Sequence, residues 1–393
     1  MAVADAITVE NAASLGDLCA RIQSAQRVGI DTEFHAERTY SPRLMLVQIA
    51  FDDGVAIVDA LAIPQLSSLI EVLTQTEVVG HALSSDLKIF ADRFDLVPPR
   101  VFDTQLAAAF LGYGSQVALS ELVHDLCGVR LAKSQTVSDW ATRPLSVRQR
   151  EYLVGDVAHL LPMYDLLTER LRAAGKLDWV REECASLGDL ERYRSDERRA
   201  YLRMPGAARM SRRELAALRA IVQLRDAIAR RRDVPPRYIL PDDVVSGLAT
   251  LRPKRAEDLA QLRRLDSGAR RHHGAAILDA IARAECLPEH ELPERPKRPL
   301  GTTRDTLVSL MSIVVGEIAR EREIAPNLLV PRGALERISR ELPSDPQQLA
   351  ACLELSAWRV QLVAEPLRGL LWGETSLAVE GYAATDPKIR LRP

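Results

Sequence analysis

Every segment with strand character lies before about residue 105 of the 393, and the remainder reads as helix and loop. The strong strands are 27–34 (RVGIDTEF), 43–51 (RLMLVQIAF), 55–59 and 78–81, with short ones at 6–9 and 101–103. Asp52-Asp53-Gly54, between two apolar runs, is a hairpin turn. From His81 on, strands alternate with helices, the sign of parallel pairing. Antiparallel hairpins followed by β-α-β-α imply a mixed α/β sheet with helices packed on it. Helices are expected over 13–26, 64–74, 104–111 and 119–127, from a Ser84 or Ser85 cap to 94, and from a Ser146 cap through 171. Nothing after 171 has strand character.

At roughly 150 residues per domain, the length fits two or three domains. Residues 176–208 read as an irregular basic linker. Beyond it the chain repeats itself. Residues 229–241 (ARRRDVPPRYILP) align without gaps on 319–331 (AREREIAPNLLVP). Ala229, Arg230, Arg232, Pro236 and Pro241 recur as Ala319, Arg320, Arg322, Pro326 and Pro331. Five identities in register, two of them prolines, argue against chance, so two homologous all-α domains are expected. The domain reading is therefore 1–175, linker 176–208, then helical domains 209–288 and 289–393.

The formal net charge of −2 hides an asymmetry. Residues 1–175 hold 14 Lys/Arg against 22 Asp/Glu, whereas residues 191–273 hold 21 against 11. A basic segment attracts phosphate backbones, and an acidic one repels them unless metal ions sit in it. No apolar run approaches the roughly 20 residues needed to span a bilayer. The N-terminus lacks the basic start and apolar core of a signal peptide. Cys19, Cys127, Cys184, Cys286 and Cys352 are scattered, with no zinc-site spacing. They read as reduced thiols of a cytoplasmic protein without membrane partners.

Asp31 and Glu33 place two carboxylates on one face at the end of an apolar strand. Like charges there repel, and a divalent cation with hard oxygen ligands would resolve it. On DTEF alone, a solvated strand end is the better reading. Asp86, five residues after His81, stands near a helix start, where the dipole favours an acid in any case. Tyr152 and Asp156 share a helix face in EYLVGD. Taken together, Asp31, Glu33, Asp86 and Asp156 suit two divalent ions, Mg²⁺ or Mn²⁺, with Tyr152 orienting a water. A phenol with a pKa near 10 is a poor unaided base, so the metals must deprotonate the water.

DTEF at 31–34, LVQIA at 46–50, HALSSDLKIF at 81–90, FDTQLAAAFLG at 102–112 and the run from Leu131 to Asp165 resemble ribonuclease D. That family belongs to the DEDD exonuclease superfamily, in the subclass with tyrosine in the last motif. The close resemblance covers about 25–170. The helical repeats, about 209–288 and 302–380, are similar to the helicase-and-ribonuclease-D C-terminal (HRDC) domain, the second less clearly. The resemblance implies a ribonuclease-H-like fold, two divalent ions and 3′→5′ hydrolysis of RNA to 5′-nucleoside monophosphates. It also implies tRNA precursors as substrate, metal-ligand roles for Asp31, Glu33, Asp86 and Asp156, and the water-orienting role for Tyr152. No nucleotide cofactor is implied, and a monomer is expected. A DNA 3′→5′ exonuclease and a non-catalytic nucleic-acid-binding adaptor are the other readings. The 2′-hydroxyl separates the first two, and an adaptor needs none of the five site residues. Gln48 reads as a polar group satisfied by the backbone, and Lys133 and Arg143, flanking Trp140, as solvated or as phosphate grips. His35 and His124 have no identified partner, and Arg230-Arg231-Arg232 fits a solvated helix end. A chain cut after about 205 is expected to keep short-oligomer hydrolysis.

Overall fold

The computed structural model describes residues 6–35, 37–63, 65–131, 139–194, 197–262, 264–295, 301–380 and 388–392. Lys133 lies outside these residues. Six strands form one mixed sheet: β1 (Ile7–Val9), β2 (Arg27–His35), β3 (Arg43–Phe51), β4 (Gly54–Asp59), β5 (Glu77–Gly80) and β6 (Val101–Asp103). Their spatial order is β1-β4-β3-β2-β5-β6. β2, β3 and β4 form an antiparallel meander, while β1 joins β4, and β5 and β6 extend β2, in parallel. The central strands are apolar on both faces, so both must be covered.

Eight helices accompany the sheet among the described residues: α1 (Ala12–Ser24), α2 (Ser67–Leu73), α3 (Ser84–Phe94), α4 (Thr104–Ala109), α5 (Leu119–Cys127), α6 (Val147–Ala158), α7 (Leu160–Ala173) and α8 (Leu177–Leu187). The expected single helix to 171 is two, because the backbone breaks at His159. Ser146 does cap α6, in a reciprocal box with Gln149. Neither Ser84 nor Ser85 caps α3. The turn before it, with Ala82 at φ 59°, is held by Asp103, whose carboxylate accepts from Ala82 N (3.0 Å) and Leu83 N (2.9 Å). The same carboxylate caps α4, accepting from Gln105 N and Leu106 N. A Cβ on Gly80 would lie 2.2 Å from Leu83 Cδ2, so this turn needs glycine.

The stretch read as a linker, 176–208, begins instead with α8. Its Leu177, Val180, Cys184 and Leu187 are buried in the sheet domain's core, which reaches Tyr193. The charged residues between them, Asp178, Arg181, Glu182 and Glu183, mask that apolar face in a composition count.

The helical repeat extends well past the aligned segment. α9 (Arg212–Arg232), α10 (Pro236–Ile239), α11 (Asp242–Leu251) and α12 (Ser267–Glu285) each begin 90 residues before α13 (Thr302–Glu321), α14 (Pro326–Leu329), α15 (Arg332–Glu341) and α17 (Ala357–Leu371). The left-handed residues that end helices recur at the same offset, Asp233 with Glu323 and Arg252 with Leu342. The second copy adds α16 (Pro346–Leu353) where the first has a 3₁₀ turn. A hairpin, β7 (Ser376–Glu380) with β8 (Lys388–Arg392), corrects the expectation of no strand after 171. Its period-2 alternation is confined to two strands of five residues each, SLAVE and KIRLR.

The two helical modules pack differently. The first has its own core. The second shares the sheet domain's core. Trp358 of α17 stacks on Trp179 of α8 (4.6 Å) and meets Phe110 edge-on (5.7 Å). Lys176 Nζ donates to the carbonyls of Phe110 (2.9 Å) and Arg322 (2.5 Å), and Arg359 pairs with Glu183 at 2.6 Å.

Candidate active site

The end of β2, the start of α3 and the middle of α6 meet at one place. Asp31, Glu33 and Asp156 each bring a carboxylate oxygen there, all within 4.8 Å of one another. Gly29 sits two residues before Asp31. A Cβ there would lie 3.1 Å from Ala50 Cβ and 3.2 Å from Leu160 Cβ. Glycine therefore lets the start of α7 close onto the strand, which sets the preceding helix over the β2 acids. A register shift between Glu33 and Phe34 follows at once, the kind of irregularity that re-aims side chains beside sites.

Asp86 stands apart from this trio. It is buried on α3, and its carboxylate accepts a hydrogen bond from the Thr32 hydroxyl. Its charge still acts on Asp31. Sequence reasoning brought all four acids together but missed Thr32. Alternation turns Thr32 away from the two acids and its partner lies 54 residues on, so no local pattern announces the pair.

Electrostatics mark the cluster as strained without a cation. Burial, then the charges of Asp86, Asp156 and Glu33, push Asp31 well above its ordinary value. Burial, then Asp156 and Asp86, raises Glu33 to about 8. Burial raises Asp156 to about 7, against the hydrogen bond from Tyr152, and Asp86 to about 6, against that from Thr32. Tyr152 is raised above the usual phenol range by burial and by Asp156, Glu33 and Asp31. Closely spaced, half-buried oxygen donors with like charges are a ligand set for a hard divalent cation.

The other candidates resolve as follows. Arg143 is no phosphate grip: it makes two hydrogen bonds to buried Asp59 and donates to the Trp140 carbonyl (2.7 Å). The Trp140 ring lies 5.8 Å from that of Tyr152. His81 Nε2 donates to the Val117 carbonyl (3.0 Å), with Nδ1 2.9 Å from Thr104 Oγ1. Gln48, directly across from Asp31 in the sheet, is buried with neither amide atom hydrogen-bonded among the described residues. Its reading as a group satisfied by the backbone does not hold.

A family profile described as 3'-5' exonuclease matches residues 6–172, and one described as HRDC domain matches 214–281. Ribonuclease D of Acidiphilium cryptum is 36% identical over 384 residues, covering 95% of each chain. Ribonuclease D of Granulibacter bethesdensis is 37% identical over 374 residues, covering 93% of each. The crystal structure of Escherichia coli RNase D, an exoribonuclease involved in structured RNA processing, superposes with a TM-score of 0.82 at 27% identity. It covers 93% of this chain and 98% of its own. Among the described residues no helix is long and apolar enough to cross a membrane. Full-length similarity at this identity, on a shared fold, places the chain in the ribonuclease D family of metal-dependent 3′→5′ exoribonucleases.

Proposed function

We propose that this protein trims the 3′ ends of RNA, tRNA precursors among them, releasing 5′-nucleoside monophosphates, and acts as a monomer. The observation that carries the reading is the convergence of Asp31, Glu33 and Asp156, with the charge of buried Asp86 reaching Asp31. These four acids would hold two divalent ions, Mg²⁺ or Mn²⁺. Bound there, the ions supply charge neutralisation at the scissile phosphate and a water acidic enough to attack it.

The chain's own residues do the rest. Asp31 and Glu33 are fixed by the sheet, so the phosphate-facing edge of the site is rigid. The Thr32 hydroxyl, with backbone N–H groups of Thr32 and Asp86, fixes the orientation of the Asp86 carboxylate. Tyr152 is one helical turn from Asp156 and hydrogen-bonded to it. With its proton held on Asp156, the phenol oxygen accepts a hydrogen bond from the attacking water and does not act as a base. Burial around Tyr152 and Trp140 limits the bulk water that reaches this side.

The test uses a 5′-labelled, single-stranded RNA with Mg²⁺ or Mn²⁺, a matched DNA, a tRNA precursor, and an RNA with a 3′-phosphate. The expected result is a ladder shortening from the 3′ end of RNA, slowed by the 3′-phosphate. Internal cuts, or equal rates on DNA and RNA, would contradict it.

A further inference from the structure

A cleft of about 540 Å³ opens between the sheet domain and the first helical module. The 39–44 segment, α3 and Asp233 line it, among others. The module is tied to this segment at Tyr40. Its backbone N–H donates to Asp233 (3.1 Å), and its hydroxyl accepts from Arg230, whose guanidinium lies 5.1 Å over the ring.

Two arginines face the cleft, Arg43 at the start of β3 and Arg93 on α3. Burial, and then the charge of Arg43, hold the Arg93 guanidinium below its ordinary value. The two like charges are therefore close enough to oppose each other. The acids of the cleft are already engaged: Asp92 takes two bonds from Lys88 (2.6 and 2.7 Å), and Asp233 takes the Tyr40 amide. Among the described residues no ion pair includes Arg43 or Arg93. Arg93 instead rests over the Phe94 ring at 5.3 Å. Two adjacent guanidinium groups without carboxylate partners suit a bidentate phosphate ligand.

Their position relative to the acids gives the ligand's identity. Arg93 follows Asp86 by seven residues on α3, which is two turns, the same helix face, and about 10 Å along the axis. Arg43 pairs with His35, two residues beyond Glu33 on β2 and roughly 7 Å along the strand. Both arginines thus lie on the order of 10 Å from the acidic cluster, on its first-module side. Stacked nucleotides rise about 3.4 Å each, so this is about three nucleotides.

We propose that Arg43 and Arg93 form a clamp for the RNA backbone, gripping a phosphate about three nucleotides upstream of the 3′ end. This rests on the exoribonuclease reading above. The clamp gives the acidic sheet domain its own cationic hold on the strand, separate from the metal site and ahead of the basic helical module.

The experiment uses the full-length protein with Arg43→Gln/Arg93→Gln, and Arg93→Lys alone. Binding of 5′-fluorescein oligoadenylates of two, four, eight and twelve nucleotides is measured in EDTA, over a salt series. Loss of the one phosphate that the pair neutralises is expected to flatten the slope of log K against log salt by about 0.7. Affinity for the eight-mer and twelve-mer is expected to fall about tenfold or more, and for the dinucleotide much less, as for lost phosphate contacts. Arg93→Lys keeps the charge and is expected to keep the slope while losing part of the affinity.

An unchanged slope in the double variant, or equal weakening at every length, would overturn the clamp. If the double variant did not fold, a slope flattened in Arg93→Lys would overturn it too, and a retained slope with weaker long-RNA binding would support it. Binding is read without turnover. Absent 3′ hydrolysis by the unaltered protein would sink the exoribonuclease reading, whereas normal hydrolysis with an unchanged slope would sink the clamp alone.

Discussion

Glu33 and Asp156 are acids whose ionisation is opposed by burial and, at Glu33, by neighbouring carboxylates, to values near 8 and 7. Their unfolded values lie near 4. The unfolded chain therefore loses these protons first as pH rises. Below about pH 4 both states are protonated and no penalty exists. It accrues from there and is complete above about pH 8, so the metal-depleted protein loses stability across that window. Asp156→Asn is expected to flatten this loss, as read from thermal unfolding in EDTA between pH 5 and 8; a steeper loss would contradict the assignment. Each of Asp31→Ala, Glu33→Ala, Asp86→Ala and Asp156→Ala is expected to remove nearly all hydrolysis while the fold persists. Near wild-type turnover in saturating Mn²⁺ would strike that residue from the ligand set. Tyr152→Phe removes only a hydroxyl, and kcat is expected to drop about 10²–10⁴-fold with RNA affinity little changed. At this scale the sequence was largely legible, because i, i+2 on a strand and i, i+4 on a helix bring Asp31 to Glu33 and Tyr152 to Asp156 with no tertiary knowledge. Thr32 and Asp103 were not, because their partners Asp86 and Ala82 lie 54 and 21 residues away.

Between elements, the site depends on a relay that no motif displays. Asp59, at the end of β4, grips Arg143, and Arg143 holds the Trp140 carbonyl beside Tyr152. Asp59→Asn keeps the shape and removes the charge. Small misplacement of a catalytic group costs up to about 10²-fold, so kcat is expected to fall about 10- to 100-fold. KM should move less, and near-ultraviolet circular dichroism should change. Unaltered kcat would show that Arg143 serves the fold alone. The β2-β3-β4 meander and the parallel pairing beyond it followed from turn signals and alternation, whereas the full strand order and the break at His159 were not read. The sequence did carry a signal for that break: Pro162 has no N–H to bond Ala158 and its ring clashes with that carbonyl, so the helix restarts with Pro162 in the first turn of α7, where Leu160 packs onto Gly29. Helix α8 carried a signal that the charge count overrode: Leu177, Val180, Cys184 and Leu187 stand at helical spacing.

For the whole molecule, the decisive feature is that the sheet domain and the second helical module share one core while the first module has another. A cut after residue 205 therefore does more than remove RNA-binding surface. It uncovers Trp179 and Phe110, and the truncated chain is expected to unfold at a lower temperature than the same unit in the full protein. Trp358→Ala should destabilise the shared-core unit by about 3–5 kcal/mol and leave the unfolding of the first module in place. The shared core argues against the expectation that truncation preserves oligomer hydrolysis: two copies of one repeat look alike in sequence but dock differently. The same division gives the most direct test of the metal centre. Thermal unfolding of the full chain is followed at pH 7.5 while Mn²⁺ is added to the wild-type protein and to Asp31→Asn. Divalent cations held by the clustered acids should raise the transition of the shared-core unit in the wild type, leave the first module's transition unmoved, and do nothing for Asp31→Asn. A wild-type transition indifferent to Mn²⁺, or an equal shift in Asp31→Asn, would contradict the assignment of these acids as a metal site.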